Sequence, residues 1–381
     1  MKLLHTSDWH LGAVDGDYSL REDQRFFIEE IIRVVQDEQA DAVMIAGDVY
    51  DNSISSGDAI QLYDYAMSEL VCRLGIPVIC IAGNHDSAER LSSCRELLKN
   101  AGLHVCGALE REVQKVSIGN ADIYLLPWFT EQKVRSLYPE KKNEVHSLQD
   151  AYQTVCDRIR ENFVPGRRHI ALSHAYIVSA ETSTSDRAAE IGNAAAITAD
   201  VFDGFDYVAL GHIHKPQDIG ETIRYSGTPM PFSFGKEEKQ IKSVTLIDTE
   251  TMERKTIPLR LRHKRTTIEG TYDEIISGDY PEEIQKGYVR ILVTDQFIDS
   301  IKLAALAGKF PNYRALSGKH YEDENGGIHM TAEEFEEMQD DPEKIFARFC
   351  TDITGSEPDG HMLELFVHAM EAYNENKEEE K

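Results

Sequence analysis

Basic residues are scarce in this chain of 381 residues. It carries 40 lysines and arginines against 67 aspartates and glutamates, a formal net charge of −27. A surface of that sign repels other anions, so tight hold of a polyanion by this chain alone is not expected. The imbalance is uneven. Residues 331–381 contain 16 acidic and 4 basic residues, a net of −12, which leaves −15 for the other 330. Cysteine is also sparse. The six cysteines form no CxxC pair and several sit in apolar stretches, the pattern of a disulfide-free, cytoplasmic protein. No apolar run approaches the length of a membrane span, and the first residues pass straight into a strand-like segment. Signal peptide, lipid anchor and membrane association are therefore not expected. No internal repeat is evident.

What the chain has is length, apolar residues and a rhythm. At 41% hydrophobic and 381 residues, two or three cores are expected. The first hundred residues alternate between buried-strand patterns (2–7, 42–46, 78–82) and helical spacing (22–38, 56–73), a βαβαβ order that predicts α/β architecture. Short strands near 113–118, 122–127, 169–173, 207–210, 223–225, 243–248 and 255–259, with a helix near 148–162, predict a second sheet packed on the first. The fold class expected is thus α/β, a two-sheet αββα sandwich. Between His174 and Phe205 runs a long stretch rich in Ser, Thr and Ala, and such a loop inside a compact domain is usually functional. A basic cluster over 260–265 marks a boundary. The expected division is 1–260 for the sandwich, 261–320 for a small α/β capping domain, and 321–381 for an acidic linker and helical region. In that last part Phe335, Ile345, Phe346 and Phe349, and then Met362, Leu363, Phe366, Val367 and Met370, recur at helical spacing. These faces pack on each other in the plain reading, or dock on a partner helix in the functional one.

Five short motifs carry the chemistry: Asp8-Trp9-His10, Gly47-Asp48, Gly83-Asn84-His85-Asp86, Ser173-His174 and Gly211-His212-Ile213-His214. Each follows a hydrophobic run, so each falls at a strand end, where parallel strands bring loops to one side of a sheet. Carboxylate oxygens, an amide oxygen and imidazoles in this number suit two divalent ions sharing one carboxylate. Asp8, His10, Asp48, Asn84, His174, His212 and His214 are the expected metal ligands, with Asp48 shared. Asp8 and His10 stand two residues apart, and a period of two points both the same way. A hydroxide between the ions is the expected nucleophile. His85 is expected to protonate the leaving oxygen, with Asp86 fixing its tautomer. Singly, each motif has a bland explanation: Asp8 as a turn cap, Asp48 as an ordinary strand-end residue, His174 as a structural histidine. The basic cluster at 260–265 divides evenly between a solvated strand end and a phosphate contact.

At these motifs, and at residues 5–12, 46–51, 82–87, 209–214 and 225–229 around them, the chain resembles the calcineurin-like metallophosphoesterases. Among them it is most similar to the nuclease subunits of bacterial SbcCD complexes. The resemblance is specific over the first 235 residues and covers the rest in layout. It implies manganese as the metal at those seven positions, with His85 catalytic. It implies ATP-dependent 3′ to 5′ double-strand exonuclease and single-strand or hairpin endonuclease activity in DNA recombination, replication and repair. It implies DNA as substrate, an SbcC-type ATPase as partner, and a homodimer within a heterotetramer. The chain has no Walker motif, so the ATP dependence would come from that partner, as would much of the DNA-binding surface. Two other readings compete. A cyclic-nucleotide phosphodiesterase or phosphoprotein phosphatase on the same scaffold suits the acidic surface. A non-enzymatic scaffold could lose ligands freely, and none is lost.

Overall fold

The computed structural model describes residues 1–16, 18–186, 196–295, 298 and 300–318 and, beyond them, 344, 346–347, 350–351, 358, 360, 362–363 and 365–367. Two six-stranded mixed sheets form the first unit, Met1–Arg265. In the first sheet the strands Lys2–Thr6, Ala42–Ala46, Val78–Ile81 and Leu103–Cys106 run parallel, and Ser243–Asp248 and Arg254–Pro258 extend it antiparallel on the Lys2–Thr6 side. In the second, Ala121–Leu126, Arg168–His174, Tyr207–Gly211 and Ile223–Tyr225 run parallel between the antiparallel edges Lys115–Ile118 and Gln217–Ile219. Ala42–Ala46 and Val78–Ile81 are buried at every residue. Such unbroken apolar runs belong to strands covered on both faces.

The covering layers follow from the side chains. Leu3, Met44 and Ile79 of the first sheet share one core with Ile123, Leu125, Ile170 and Ala209 of the second. The other set of alternating residues in the second sheet, Tyr124, Leu126 and Leu210 among them, packs with Tyr152, Val155 and Ile159 of the helix Leu148–Arg160. A capping box starts that helix: Ser147 accepts from the amide of Asp150, and the Asp150 carboxylate accepts from that of Ser147. The helix Arg21–Glu38 buries Phe27, Ile28, Ile31 and Val35, and Trp9 sets its ring edge-on to Phe27. The helix expected over 56–73 is α-helical over Gly57–Met67 and widens to a π-helix over Ser68–Arg73. The architecture is a two-sheet α/β sandwich.

The first unit ends after Arg265, and its own acids pair with the basic cluster. Arg260 pairs with Glu30, Arg262 with Glu22, His263 with Asp23 at 3.0 Å and Arg265 with Asp15 at 2.6 Å. Three of those acids lie on the helix Arg21–Glu38. These four basic side chains are paired with acids of the same unit.

The second unit, Thr266–Lys381, holds most of a three-stranded sheet of Arg265–Gly270, Tyr288–Val293 and Tyr313–Gly318 with the helices Tyr272–Ser277, Glu282–Lys286 and Ser300–Lys309. Ile268, Ile275, Val289, Ile291, Leu306 and Phe310 form its core. Phe346 and Phe366 stack at 4.2 Å with planes 6° apart, which brings together residues from the two apolar patterns of the C-terminal part. The start of the expected acidic linker, 321–343, and the apolar positions Phe335, Ile345, Phe349 and Met370 lie outside the described residues. Among the described residues no helix is long and apolar enough to cross a membrane.

Candidate metal centre

The parallel strands of both sheets end in the motifs, and the two sets of ends meet. Glycine makes the meeting possible. A Cβ on Gly83 would run into the carboxylate and backbone nitrogen of Asp48, and one on Gly211 into the carbonyl of Ala46. Backbone bonds then tie the loops together. The amides of Asp8 and His10 donate to the carbonyls of Gly47 and Asp48, each at 3.0 Å. The amides of His212 and His85 donate to the side chains of Asp8 and Asp48, at 2.8 and 3.0 Å.

All seven expected ligands converge. His174 Nε2 lies 2.9 Å from Asn84 Oδ1 and 3.4 Å from Asp48 Oδ2. His212 Nδ1 lies 3.0 Å from the same Asn84 oxygen and 3.3 Å from His174 Nε2. The same Asp48 Oδ2 is 3.8 Å from His10 Nε2, which lies 3.1 Å from His214 Nε2. Asp8 reaches both groups: one set of ligand atoms within 4.8 Å is Asp8, His10 and His214, another Asp8, Asp48 and His174. The directions are not those of a continuing strand. The first strand stops at Thr6, and Asp8 and His10 have φ of 52° and 44°. A left-handed turn, rather than period-two alternation, aims them. Asp48 and His212, at φ 48° and 96°, are held the same way. For non-glycine residues such a backbone costs of order 1–3 kcal/mol, and it persists where the surroundings impose it.

The chemistry of these atoms fits a pair of cations. His174 Nδ1 donates to the Ala46 carbonyl at 2.8 Å, so Nε2 turns a lone pair toward two oxygens that also only accept. The Nε2 atoms of His10 and His214 face each other with room for one shared proton. Asp8 Oδ2 is buried without a hydrogen-bond partner. In the metal-free protein a proton takes the cation's place. Burial opposes the charge on His174, but Asp48 beside it outweighs burial and raises its pKa to about 9. Asp48 is driven well down: burial works against its charge, and His174 and His10 more than offset burial. Asp8 is raised to about 6 by burial, with Asp48 adding to it. His214 is pushed down by burial and by His10 and Lys242, which keeps its imidazole neutral.

His85 stands at the rim. Its Nδ1 lies 2.8 Å from the Asp51 carbonyl and its Nε2 3.9 Å from Asp48 Oδ2. The tautomer is therefore set by a backbone oxygen. Asp86, expected to orient His85, does something else. Its carboxylate accepts the amides of Val49, Tyr50 and Gly83 at 3.1, 2.9 and 2.8 Å. It pins the loop after the second strand to the loop after the third. His5 is a core histidine: it bonds Tyr207 and the Leu210 carbonyl, and burial lowers its pKa to about 3.

Four residues at the centre went unread in the sequence. Ser185 and Asp186 lie in the Ser- and Thr-rich loop and line the cavity with His10, His85 and His214. Their place was signalled only by the loop's length. Phe232 packs edge-on to His10 at 5.5 Å, and Glu237 lies buried behind Ser185. Nothing local marks either.

Residues 1–216 match the family model of the calcineurin-like phosphoesterases. The chain is similar to the SbcD subunit of the SbcCD nuclease of Staphylococcus saprophyticus subsp. saprophyticus, 32% identical over 358 residues that cover 93% of this chain and 94% of that one. It is 29% identical to the protein of the same name from Staphylococcus epidermidis, with the same coverage.

Proposed function

Since this chain belongs to the calcineurin-like phosphoesterases and is a metal-dependent nuclease of the SbcD kind, we propose that it cleaves DNA phosphodiesters with two manganese ions. Asp8, His10, Asp48, Asn84, His174, His212 and His214 are the residues that would hold them. The observation that carries this reading is the crowding of lone pairs: His174 Nε2 against the oxygens of Asn84 and Asp48, and His10 Nε2 against His214 Nε2. Divalent ions there would supply a water of lowered pKa and neutralise the phosphate. The chain's own residues do the rest. Asp48, reaching both clusters, fixes their separation. His85, with Nδ1 committed to the Asp51 carbonyl, presents Nε2 to the cavity and delivers a proton to the leaving oxygen. Asp86 keeps the loops carrying Asp48 and Asn84 in register.

The partner is an SbcC-type ATPase. With it the chain acts as an ATP-dependent 3′ to 5′ double-strand exonuclease and as an endonuclease on single strands and hairpins, in cytoplasmic DNA recombination, replication and repair. The assembly is a homodimer of this chain within a heterotetramer. A net charge of −27 supports a basic partner that holds the DNA. Residues 321–381 are the partner-binding region.

The test is digestion of linear duplex, single-strand and hairpin DNA by the purified chain, with Mn²⁺ or Mg²⁺, with and without the ATPase and ATP. Duplex digestion is expected to require both ATPase and ATP, and single-strand cleavage manganese alone. Truncation after Gly327 is expected to keep manganese binding and single-strand cleavage but lose the ATPase. Hydrolysis of phosphomonoesters with no cleavage of any DNA would overturn the reading.

A further inference from the structure

The loop after His174 delivers one hydroxyl to the centre. Ser185 Oγ lies 2.5 Å from His214 Nδ1 and 2.7 Å from Glu237 Oε1. A serine hydroxyl has one proton to give, and an ionised carboxylate only accepts. The other oxygen of Glu237 takes the amides of Phe232 and Ser233 at 2.7 and 2.9 Å. The ammonium of Lys242, itself fully buried, stands 3.4 Å from Oε1 and also donates to Thr228 and to the His214 carbonyl. Both oxygens of Glu237 thus face donors, and the proton between it and Ser185 is the serine's. The contact between Ser185 and His214 must then be carried by a proton on His214 Nδ1. The other atoms near Nδ1 agree, since Asp186 Oδ1 at 3.6 Å and Glu237 Oε1 at 3.8 Å are both acceptors. Nε2 is left with its lone pair, 3.1 Å from His10 Nε2.

We propose that Ser185 and Glu237 form a buried relay that locks His214 in the Nδ1-protonated tautomer and so presents Nε2 as a metal ligand. This rests on the metal-centre reading above. Ser185 and Glu237 are positioning residues, acting through His214. Anchoring of the loop is a separate matter. It is served by Asp186, which accepts the amides of Ser183 and His214 at 2.5 and 3.0 Å, and by Gln240, which donates to Ser183 Oγ at 2.8 Å.

The full-length chain is compared with Ser185→Ala, Ser185→Thr and Glu237→Gln. Two quantities are read: the His214 tautomer, by long-range ¹H–¹⁵N correlation in histidine-labelled, metal-free protein, and Mn²⁺ affinity and stoichiometry by calorimetry. The wild type is expected to show the Nδ1–H pattern. Ser185→Ala is expected to lose it and to bind one of two ions about 10–100-fold more weakly, the usual cost of removing an outer partner of a ligating histidine. Ser185→Thr, which keeps the hydroxyl, restores both. Glu237→Gln weakens the same ion, because its amide can donate to Ser185 and turn the serine proton toward Nδ1. An Nε2–H pattern in the wild type overturns the relay, as does Ser185→Ala with the wild-type tautomer and affinity. Should Ser185→Ala not fold, the wild-type spectrum and Glu237→Gln decide. A wild type that binds no manganese sinks the metal-centre reading, while the tautomer measurement still judges the relay.

Discussion

Metal binding at this centre should be a proton exchange, and pH is the perturbation that exposes it. In the metal-free chain His174 is raised to about 9 by Asp48. A cation at Nε2 must expel that proton. At pH 7, two units below about 9, the exchange costs about 2.7 kcal/mol, at about 1.36 kcal/mol per unit. The apparent affinity is therefore expected to be about a hundredfold weaker at pH 7 than on the plateau above pH 9, falling about tenfold per unit between. Below about 6, where Asp8 also takes up a proton, the dependence steepens toward two protons. Folding stability should move the opposite way in the metal-free protein. A histidine whose folded pKa lies above its unfolded value of about 6.5 gives stability that is complete below 6.5 and lost as pH rises through 9. The raised Asp8 acts lower: its contribution is lost as pH rises from about 3.8 to about 6 and is constant above that. The metal-free chain should thus lose stability between pH 6.5 and 9 while the loaded chain does not. Calorimetric Mn²⁺ titrations in buffers of different ionisation enthalpy count the protons released. Near pH 7.5 the His174 proton should leave on binding, and His10, where Asp51 and Asp48 outweigh burial and raise the pKa, adds to the count. Affinity that is flat from pH 6.5 to 9, with no proton released, would refute both the His174–Asp48 coupling and the place of His174 as a ligand.

Three substitutions separate the remaining roles. Asp48→Asn should lose both ions by elemental analysis, and all hydrolysis with them, while circular dichroism stays native; normal turnover at saturating Mn²⁺ would remove Asp48 from the shared position. His85→Ala should keep both ions and lose roughly a hundred- to ten-thousand-fold in rate, so equal loss of metal and rate would make His85 a ligand. Asp86→Ala strips the acceptor from three backbone amides, and at about 1 kcal/mol or more for each buried donor left unpaired it should cost about 3 kcal/mol. A lowered melting temperature and weakened metal binding are expected together, with the pH optimum of the remaining activity unmoved. A stable Asp86→Ala enzyme with only its pH profile shifted would restore Asp86 as the partner of His85.

The sequence by itself determined the class of fold and the cluster of donor side chains. Apolar runs at 42–46 and 78–82 could only be strands covered on both faces, and the crossovers between parallel strands force their ends to one side. Residues placed just after those ends, Asp8, Asp48 and Asn84, therefore had to meet, and His174 and His212 joined them by the same rule in the second sheet. Strand periodicity failed at Asp8 and His10, because the chain turns left-handed after Thr6 and alternation holds only while a strand continues. What only the tertiary structure decided was which side chain orients which. Asp86 stands beside His85 in the chain but reaches Val49, 37 residues away. The partner of His214 is Ser185, 29 residues away, and Ser185 leans on Glu237, 52 residues further along. Those pairings depend on distances and free lone pairs of a few ångströms, set when two sheets and their loops close on one another. Neither composition nor spacing along a chain carries that information, because a hydrogen bond is chosen by what is adjacent in space after folding.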